Sequence, residues 1–175
     1  MRLIGLDPGL RATGWGVIEA DGGHLRHIAD GVVRTKSSDT IALRLVQIYD
    51  AVAQVIETYQ PQGAAVEETF VNRNPQSTLK LGLARGVVLL APARAGLAVA
   101  EYGANQVKKS VTGAGHAAKD QVKMMVKTLL PAAAVETADA ADALAVAICH
   151  AHFSETRGAW GVGGEAFDET KEVRR

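Results

Sequence analysis

The opening of the chain constrains its fold more than any other segment. An apolar run from Leu3 to Leu6 ends on a carboxylate, Asp7, and a Pro-Gly pair follows at once. The run is too short to span a membrane, and Pro-Gly is typical of a turn. A second β-favouring run, residues 15–19, follows at hairpin distance. The pattern predicts a hairpin whose first strand is central in a sheet and ends on Asp7.

Asp7 has two interpretations at this point. At the end of a central strand it is partly dehydrated, and burying a charge without compensation is costly. A metal ion is the obvious compensating charge. Alternatively, Asp7 only caps the turn before Pro8, since Asp is a common turn residue.

The chain of 175 residues suits one domain with a full core. We expect this domain to cover residues 1–153, and residues 154–175 to form a flexible tail, because they are rich in Gly and charge and lack periodicity. A single cysteine, Cys149, excludes an internal disulfide. Together with the lack of a signal peptide or membrane helix pattern, it predicts a cytoplasmic protein.

The formal net charge is zero, but its distribution is uneven. Residues 73–127 carry nine Lys or Arg and two acids, a balance of +7, whereas residues 1–72 carry −3 and residues 128–175 carry −4. A solvated helix face explains part of this basic middle. The scarcity of acids there fits a surface that binds a polyanion better.

Periodicity and turn residues predict the element order βββ-α-β-α-β-α-α-α, an α/β fold. Ser38 or Asp39 is expected to cap the first helix and Pro61 to follow it, while Asn74 caps the second and Pro92 kinks or ends it. Thr137 can cap the last helix. The remaining expected elements are strands at residues 25–35, 64–67 and 98–102 and helices at residues 105–111 and 119–130.

Carboxylates fall at three separated points of this order. Asp7 and Glu67 each end a short buried strand, and Asp139 and Asp142 are three apart near a helix N-terminus, so they share one face. Acids at adjacent strand ends and a helix N-terminus can converge. Such a cluster needs hard cations, and oxygen ligation suits Mg²⁺ or Mn²⁺. Two ions about 3.5–4 Å apart can serve phosphodiester hydrolysis. Asp139 and Asp142 could instead only complement the helix dipole.

Two further patterns leave alternatives open. Gly82 and Gly86 are one helical turn apart and allow close approach of another backbone, either their own sheet or a second subunit. Cys149, His150 and His152 could suggest zinc, but on one helix they lie on different faces. Core packing and a polar helix end account for them better.

Several motifs in order resemble the bacterial RuvC Holliday-junction resolvases, over about residues 2–153. The motifs are Asp7-Pro8-Gly9 with Thr13-Gly14-Trp15-Gly16, Val66-Glu67 with Phe70, Leu79-Lys80-Leu81-Gly82 with Ala84-Arg85-Gly86, Gln106-Val107-Lys108, and the run from Ala138 to Ala145. The resemblance implies an RNase H-like fold with a five-stranded mixed sheet and helices on both faces. It also implies a homodimer that nicks four-way DNA junctions symmetrically on two opposed strands, with two Mg²⁺ ions per site. The nicks would carry 5′-phosphate and 3′-hydroxyl ends. Cooperation with the RuvA–RuvB branch-migration complex in recombination and repair is implied as well.

The resemblance also implies roles for single residues. Asp7, Glu67, Asp139 and Asp142 resemble the catalytic, metal-binding acids, and adjacent Glu68 should point to the opposite face of its strand. Phe70 resembles the aromatic residue that stacks at the junction crossover. Lys108 and Lys119 resemble the DNA-contacting lysines of the family. From the basic middle of the chain we also expect Arg73 and Lys80 to contact a junction arm, and from the helix that begins at Pro75 we expect Leu83, Gly86 and Leu90 to form dimer contacts.

Two other classes compete with this hypothesis. The Asp7-Pro8-Gly9 turn followed by Gly14 also resembles the first phosphate loop of actin-like ATPases and sugar kinases, which need a second lobe that this chain is too short to supply. A catalytically inactive junction-binding scaffold of the same fold is the other alternative. The presence of all four acids argues against it.

Overall fold

The computed structural model describes residues 1–68 and 74–159, with side chains up to residue 154. Its centre is a five-stranded mixed sheet in the order β3-β2-β1-β4-β5. The strands are β1 (Arg2–Asp7), β2 (Ala12–Asp21), β3 (His24–Arg34), β4 (Gly63–Glu68) and β5 (Val99–Gly103). The helices are α1 (Ile41–Tyr59), α2 (Pro75–Arg94), α3 (Ala104–Thr112), α4 (Lys119–Leu129) and α5 (Ala138–Ala159).

The connections follow from local sequence. β1, β2 and β3 form an antiparallel meander, and Gly22 and Gly23 turn between β2 and β3 with φ of +50° and +82°. β4 pairs parallel with β1, and β5 parallel with β4, because α1 and α2 carry the chain back across the sheet. The expected central position of the first strand and the mixed five-stranded sheet are therefore confirmed.

The sheet separates two hydrophobic layers. Residues of α1 and α2, such as Ile48 and Val88, pack with Ile4 and Leu6 on one face. On the other face, α3, α4 and α5 pack against alternate strand residues such as Leu3. Because side chains of a strand alternate between faces, β1 is apolar on both sides, as a central strand must be.

Several element ends differ from the sequence-based prediction. The cap of α1 is Thr40, whose hydroxyl accepts from the Leu43 amide, so the expectation of Ser38 or Asp39 is wrong. Asn74 caps α2 as expected. Pro92 does not end α2, which continues to Arg94. The last helix continues to Ala159, so the expected boundary between residues 153 and 154 lies inside α5.

The outer side of α2 has no covering element among the described residues. Leu79, Leu83 and Leu90 are 68%, 41% and 49% exposed. A Cβ atom at Gly82 or Gly86 would meet no atom within 4 Å. Of the two alternatives for this glycine pair, packing against its own sheet is therefore excluded in the described structure. Across the described residues, no helix is both long and apolar enough to cross a membrane.

Candidate active site

The first two acids of the site are placed by strand pairing. Leu6 of β1 pairs with Val66 of β4, so Asp7 and Glu67 follow side by side at the ends of neighbouring parallel strands. Residues in register point to the same face, and this is the face covered by α5, since Leu3 and Ala65 belong to its core. The predicted convergence of these two strand ends is thus present in the structure.

The other two acids are placed by the N-terminus of α5. The Thr137 hydroxyl accepts from the Ala140 amide at 3.2 Å and so begins the helix as predicted. Asp139 and Asp142 then lie in its first turns, and both are partly buried. Helix and sheet meet closely here, because a Cβ atom on Gly14 would overlap the carbonyl group of Asp139. Gly14 is also the residue that pairs with Asp7 across β1 and β2.

Three of the four predicted acids border a cleft of about 360 Å³, and Asp139 is not among its lining residues. Asp7, Glu67 and Asp142 line it from the acidic side, and Lys108 and Lys119 line it from α3 and α4. Its remaining lining residues are Pro8, Glu68, Leu81, Ala104, Val107, Val122 and Ala145. Glu68 lines the cleft as well, but it is exposed, whereas Glu67 is partly buried.

Burial and neighbouring carboxylates raise the pKa of two of the acids, Asp7 and Glu67. Burial, followed by the charges of Glu67, Asp142 and Asp139, raises the pKa of Asp7 to about 8. Burial and the Asp142 charge also raise the pKa of Glu67. Shifts of this kind, in a cleft, mark a candidate functional site, because a structural role seldom concentrates like charges. The turn-cap interpretation of Asp7 does not explain them.

Two lysines oppose this negative charge. Lys119 Nζ lies 3.3 Å from Asp142 Oδ2, and this contact raises the pKa of the lysine. The charges of Lys119 and Lys108 both act to lower the pKa of Glu67. Lys80 is exposed on α2, away from the described lining of the cleft. Of the expected DNA-contacting cations, Lys108 and Lys119 therefore line the same cleft as the acids.

The donor chemistry of the site fits hard divalent cations. Its side chains offer carboxylate oxygens only, and the raised pKa values show an excess of negative charge that a cation would relieve. Within the described residues, no three His, Cys, Asp or Glu side chains are arranged closely enough to hold a metal ion. Lys119 bonds Asp142 instead, so side-chain rotation must accompany metal binding.

A hydrogen-bond network fixes the turn after Asp7, and sequence reasoning did not anticipate it. The buried Thr13 hydroxyl donates to the Gly9 carbonyl at 2.7 Å. The buried Thr35 hydroxyl donates to the Leu10 carbonyl at 2.6 Å, and Arg44 donates to both Thr35 and Leu10. Buried hydroxyls rarely remain unbonded. The Thr35 hydroxyl and its acceptor, the Leu10 carbonyl, are 25 residues apart, so this bond leaves no local sequence signal.

The remaining candidates are placed as follows. Phe70 and Arg73 lie outside the described residues. Cys149 is buried, and burial raises the pKa of its thiol to about 11, which disfavours the thiolate that zinc requires. His150 Nδ1 lies 2.8 Å from the Tyr102 hydroxyl and His152 Nδ1 lies 3.1 Å from the Ser110 hydroxyl. These contacts agree with packing and polar-end roles rather than zinc ligation.

Comparison with known proteins identifies the family. Residues 3–150 match the family described as crossover junction endodeoxyribonuclease RuvC. The chain belongs to the RuvC family. A RuvC from Rhodospirillum rubrum is 65% identical over 153 residues, covering 87% of this chain and 90% of that protein. A RuvC from Paramagnetospirillum magneticum is 64% identical, covering 90% and 95% of the two chains.

Solved RuvC structures agree with the fold. A structure of Thermus thermophilus RuvC in complex with a Holliday junction substrate has a TM-score of 0.84 at 37% identity, covering 89% of this chain and 96% of that one. Yeast mitochondrial Holliday junction resolvase Ydc2 has a TM-score of 0.65 at 10% identity, a likeness of fold alone. The expected RNase H-like nuclease fold of the RuvC family is confirmed.

Gly14→Ala tests the close contact that places the α5 acids. Its new methyl group must displace the Asp139 carbonyl, and overpacking of this kind costs about 1–3 kcal/mol. Gly63→Ala is the matched control in the same sheet, since it meets only the movable side chains of Leu3 and His150 at 3.2 and 3.3 Å. Urea denaturation should show a larger loss of unfolding free energy for Gly14→Ala than for Gly63→Ala. Equal losses would contradict the assigned contact.

The raised pKa of Asp7 predicts a pH-dependent stability of the metal-free RuvC-family protein. Folded protein keeps the Asp7 proton up to pH of about 8, whereas the unfolded chain releases it near 3.8. The folded state therefore binds more protons in this window, and stability must fall as the pH rises through it. Thermal unfolding in chelator should show Asp7→Asn gaining stability over wild type from pH 5 to pH 8. Gly63→Ala, as control, should run parallel to wild type. Parallel curves for Asp7→Asn would contradict the assignment.

Proposed function

We propose that this chain resolves four-way DNA junctions as a metal-dependent crossover junction endodeoxyribonuclease. The observation that carries the proposal is the convergence of Asp7, Glu67 and Asp142 on one cleft, in a chain of the RuvC family. The family is one of metal-dependent nucleases. Nicks on two opposed strands, with 5′-phosphate and 3′-hydroxyl ends, would resolve the junction in recombination and repair.

In this proposal the four acids, Asp7, Glu67, Asp139 and Asp142, hold the metal ions. Asp7 is the best placed to contact both ions, because it ends the central strand between Glu67 and the start of α5. Two Mg²⁺ ions, for which Mn²⁺ substitutes, would supply Lewis-acid stabilisation of the attacking and leaving oxygens. The acids would orient this charge against the scissile phosphate, and a bound cation would displace the proton that the raised pKa keeps on Asp7 near neutral pH.

The cations of the cleft are assigned to the DNA backbone. Lys119 and Lys108 line the cleft beside the acids, where they can contact phosphates next to the reacting one. Lys119, which contacts Asp142 in the metal-free protein, would be free to contact a phosphate if Asp142 held a cation. Lys80 and Arg73 would extend this contact along a junction arm. Phe70 would stack on an unpaired base at the crossover, a contact worth about 1–3 kcal/mol.

A homodimer is the second part of the proposal. A four-way junction with two opposed nicks requires two sites related by a two-fold axis. The exposed Leu83 and Leu90 and the open space at Gly86 make the outer side of α2 suitable for self-association. An apolar helix side with small residues permits close backbone approach between two copies of α2.

Gly86→Leu tests this interface. The new side chain should hold the two α2 backbones apart, so sedimentation should show a monomer where wild type is a dimer. The monomer itself should not lose stability, since leucine favours a helix over glycine by about 0.8–1 kcal/mol. Thr128→Leu, at an exposed position of α4, is the control that should leave the mass unchanged. A wild-type mass for Gly86→Leu would contradict the interface.

Asp7→Asn tests the catalytic proposal. With Mg²⁺ and a synthetic four-way junction, wild type should nick two opposed strands, and Asp7→Asn should lose nicking by several orders of magnitude. Binding in chelator should persist, because the substitution removes a negative charge that repels phosphate. The control is Asp21→Asn, an exposed acid at the far end of β2. Near wild-type nicking by Asp7→Asn would refute the proposed site.

The inactive-scaffold alternative gives a different result in the same assay. A scaffold would bind the junction with wild-type acids and nick neither strand at any Mg²⁺ or Mn²⁺ concentration. Cooperation with a RuvA–RuvB branch-migration complex, and a cytoplasmic location beside the chromosome, belong to the proposal as well. The single buried cysteine fits such a reducing compartment.

A further inference from the structure

The edge of the sheet that carries Asp7 and Glu67 also carries cations on its other side. β3 is antiparallel to β2, as β2 is to β1, so β3 ends at the edge where β1 ends. Its last residue, Arg34, pairs with Ala12 at the start of β2. Arg11 and Lys36 are the neighbours of this pair in the chain, and we refer to Arg11, Arg34 and Lys36 as the second basic cluster.

These cations are exposed and available. Arg11, Arg34 and Lys36 are all exposed, and none forms an ion pair in the part of the chain that the structure describes. Other arginines differ: Arg26 pairs with Glu19, and Arg85 with Glu101. A group of cations without ion-pair partners at one end of the sheet attracts polyanions.

Acids near the second basic cluster do not cancel it. Asp30 and Glu136 line the same shallow depression as Arg34. Asp30 is engaged by His27, whose Nε2 lies 2.7 Å from its Oδ1. Glu136 is exposed and forms no ion pair with a described residue. The three cations of the cluster outnumber these two acids, which leaves a positive excess beside the first turn of α5.

The backbone under the cluster is fixed. The Thr35 amide donates to the Arg11 carbonyl at 3.2 Å, and the Thr35 hydroxyl to the Leu10 carbonyl at 2.6 Å. Arg44 donates to that hydroxyl at 2.8 Å and to that carbonyl at 3.2 Å. These bonds join the β1–β2 turn to the end of β3. The cluster is thus preorganised, which lowers the entropic cost of binding.

The position of the cluster matches a DNA strand that crosses the acids. β3 lies two strands from β1, a separation of about 10 Å, and three nucleotides of one B-DNA strand rise about as far. Arg34 shares its strand face with Val32, which packs against the α5 side of the sheet. That is also the face of Asp7 and Glu67. The first basic flank, Lys108 and Lys119, lies beyond Glu67 in the opposite direction.

We propose that Arg11, Arg34 and Lys36 bind backbone phosphates of the junction strand on the side of the acidic cleft away from Lys108 and Lys119. This inference rests on the proposed junction-cleaving function. The scissile phosphate must approach four carboxylates that repel it. Cations on both flanks hold the strand across the acids at two points, whereas cations on one flank would let it swing away.

The salt dependence of junction binding tests the proposal. A synthetic junction is titrated in chelator, over increasing salt, against wild type and three variants. The variants are Arg34→Ala, Arg11→Ala, and the triple variant that adds Lys36→Ala to both. Each lost phosphate contact should reduce the slope of log K against log salt by about 0.7–0.9. The control is Arg94→Ala, an exposed arginine at the C-terminal end of α2, which leads into the opposite edge of the sheet. Its slope should equal that of wild type.

Two further measurements separate charge from structure. Arg34→Lys keeps the cation and should restore most of the slope, which a purely structural role of the arginine would not predict. Junctions carrying a neutral methylphosphonate at single positions on either side of the cut locate the contact. At one position on the flank away from Lys119, the methylphosphonate should lower the junction affinity of wild type. At that same position it should not lower the affinity of Arg34→Ala, which already lacks the contact.

The outcomes distinguish this inference from the proposed function. If wild type neither binds nor nicks the junction, the proposed function fails. If wild type binds and nicks, Lys119→Ala lowers the slope, and the triple variant keeps the wild-type slope, only the second basic cluster is refuted. The inference would also be refuted if, at every position, the affinity lost through the methylphosphonate added fully to the affinity lost through Arg34→Ala. Thermal unfolding identifies a misfolded triple variant, and Arg34→Ala alone then decides the outcome.

Discussion

Helix α5 rests directly on the backbones of β1 and β2, and the rest of the site depends on this contact. Gly5, Gly14 and Gly16 leave no side chain between helix and strands, and a methyl group on Gly5 or Gly14 would overlap a carbonyl group of α5. The facing residues of the helix are small as well, such as Ala143 and Ala147. Close packing of this kind has few alternative arrangements, so the helix has a fixed depth and rotation. Asp139 and Asp142 thereby stand next to Asp7.

Electrostatic strain is a consequence of the same contact. Pressing the first turns of α5 against the end of β1 gathers carboxylates in a partly buried place, and the pKa of Asp7 rises to about 8. In the metal-free protein that group keeps its proton near neutral pH, since ionisation would add a charge beside Glu67 and Asp142. The metal-free protein is therefore less stable when these carboxylates are ionised, and bound divalent cations would restore that stability. Functional sites often carry such a cost.

The distribution of cations balances the acids at the level of the whole edge. Lys108 and Lys119 come from α3 and α4, and Arg11, Arg34 and Lys36 come from the meander at the other end of the edge. Along the chain these groups are far apart, and the second group lies in a segment whose net charge is negative. Summed segment charge therefore identified only the first group. A charge profile along the sequence misses a surface to which separate segments contribute.

The sequence by itself determined the element order, the central first strand, the convergence of the Asp7 and Glu67 strand ends, and the family. Short-range physics explains this, because turn residues, capping and apolar periodicity act over a few residues. The sequence predicted the ends of helices and strands less reliably. Thr40 rather than Ser38 or Asp39 caps α1, since all three residue types suit a helix cap and local propensity does not choose among them. Pro92 lies buried within α2, although proline disfavours a helix interior.

Only the tertiary structure decided which groups meet. It brought Arg44 to the Leu10 carbonyl across 34 residues, placed Lys119 on Asp142, and left Leu83 and Gly86 facing outward rather than against the sheet. Each of these depends on strand register and helix depth, which long-range packing sets. No local pattern in the sequence records such distances, so the strand ends that carry Asp7 and Glu67 were predictable, whereas the contacts around them were not.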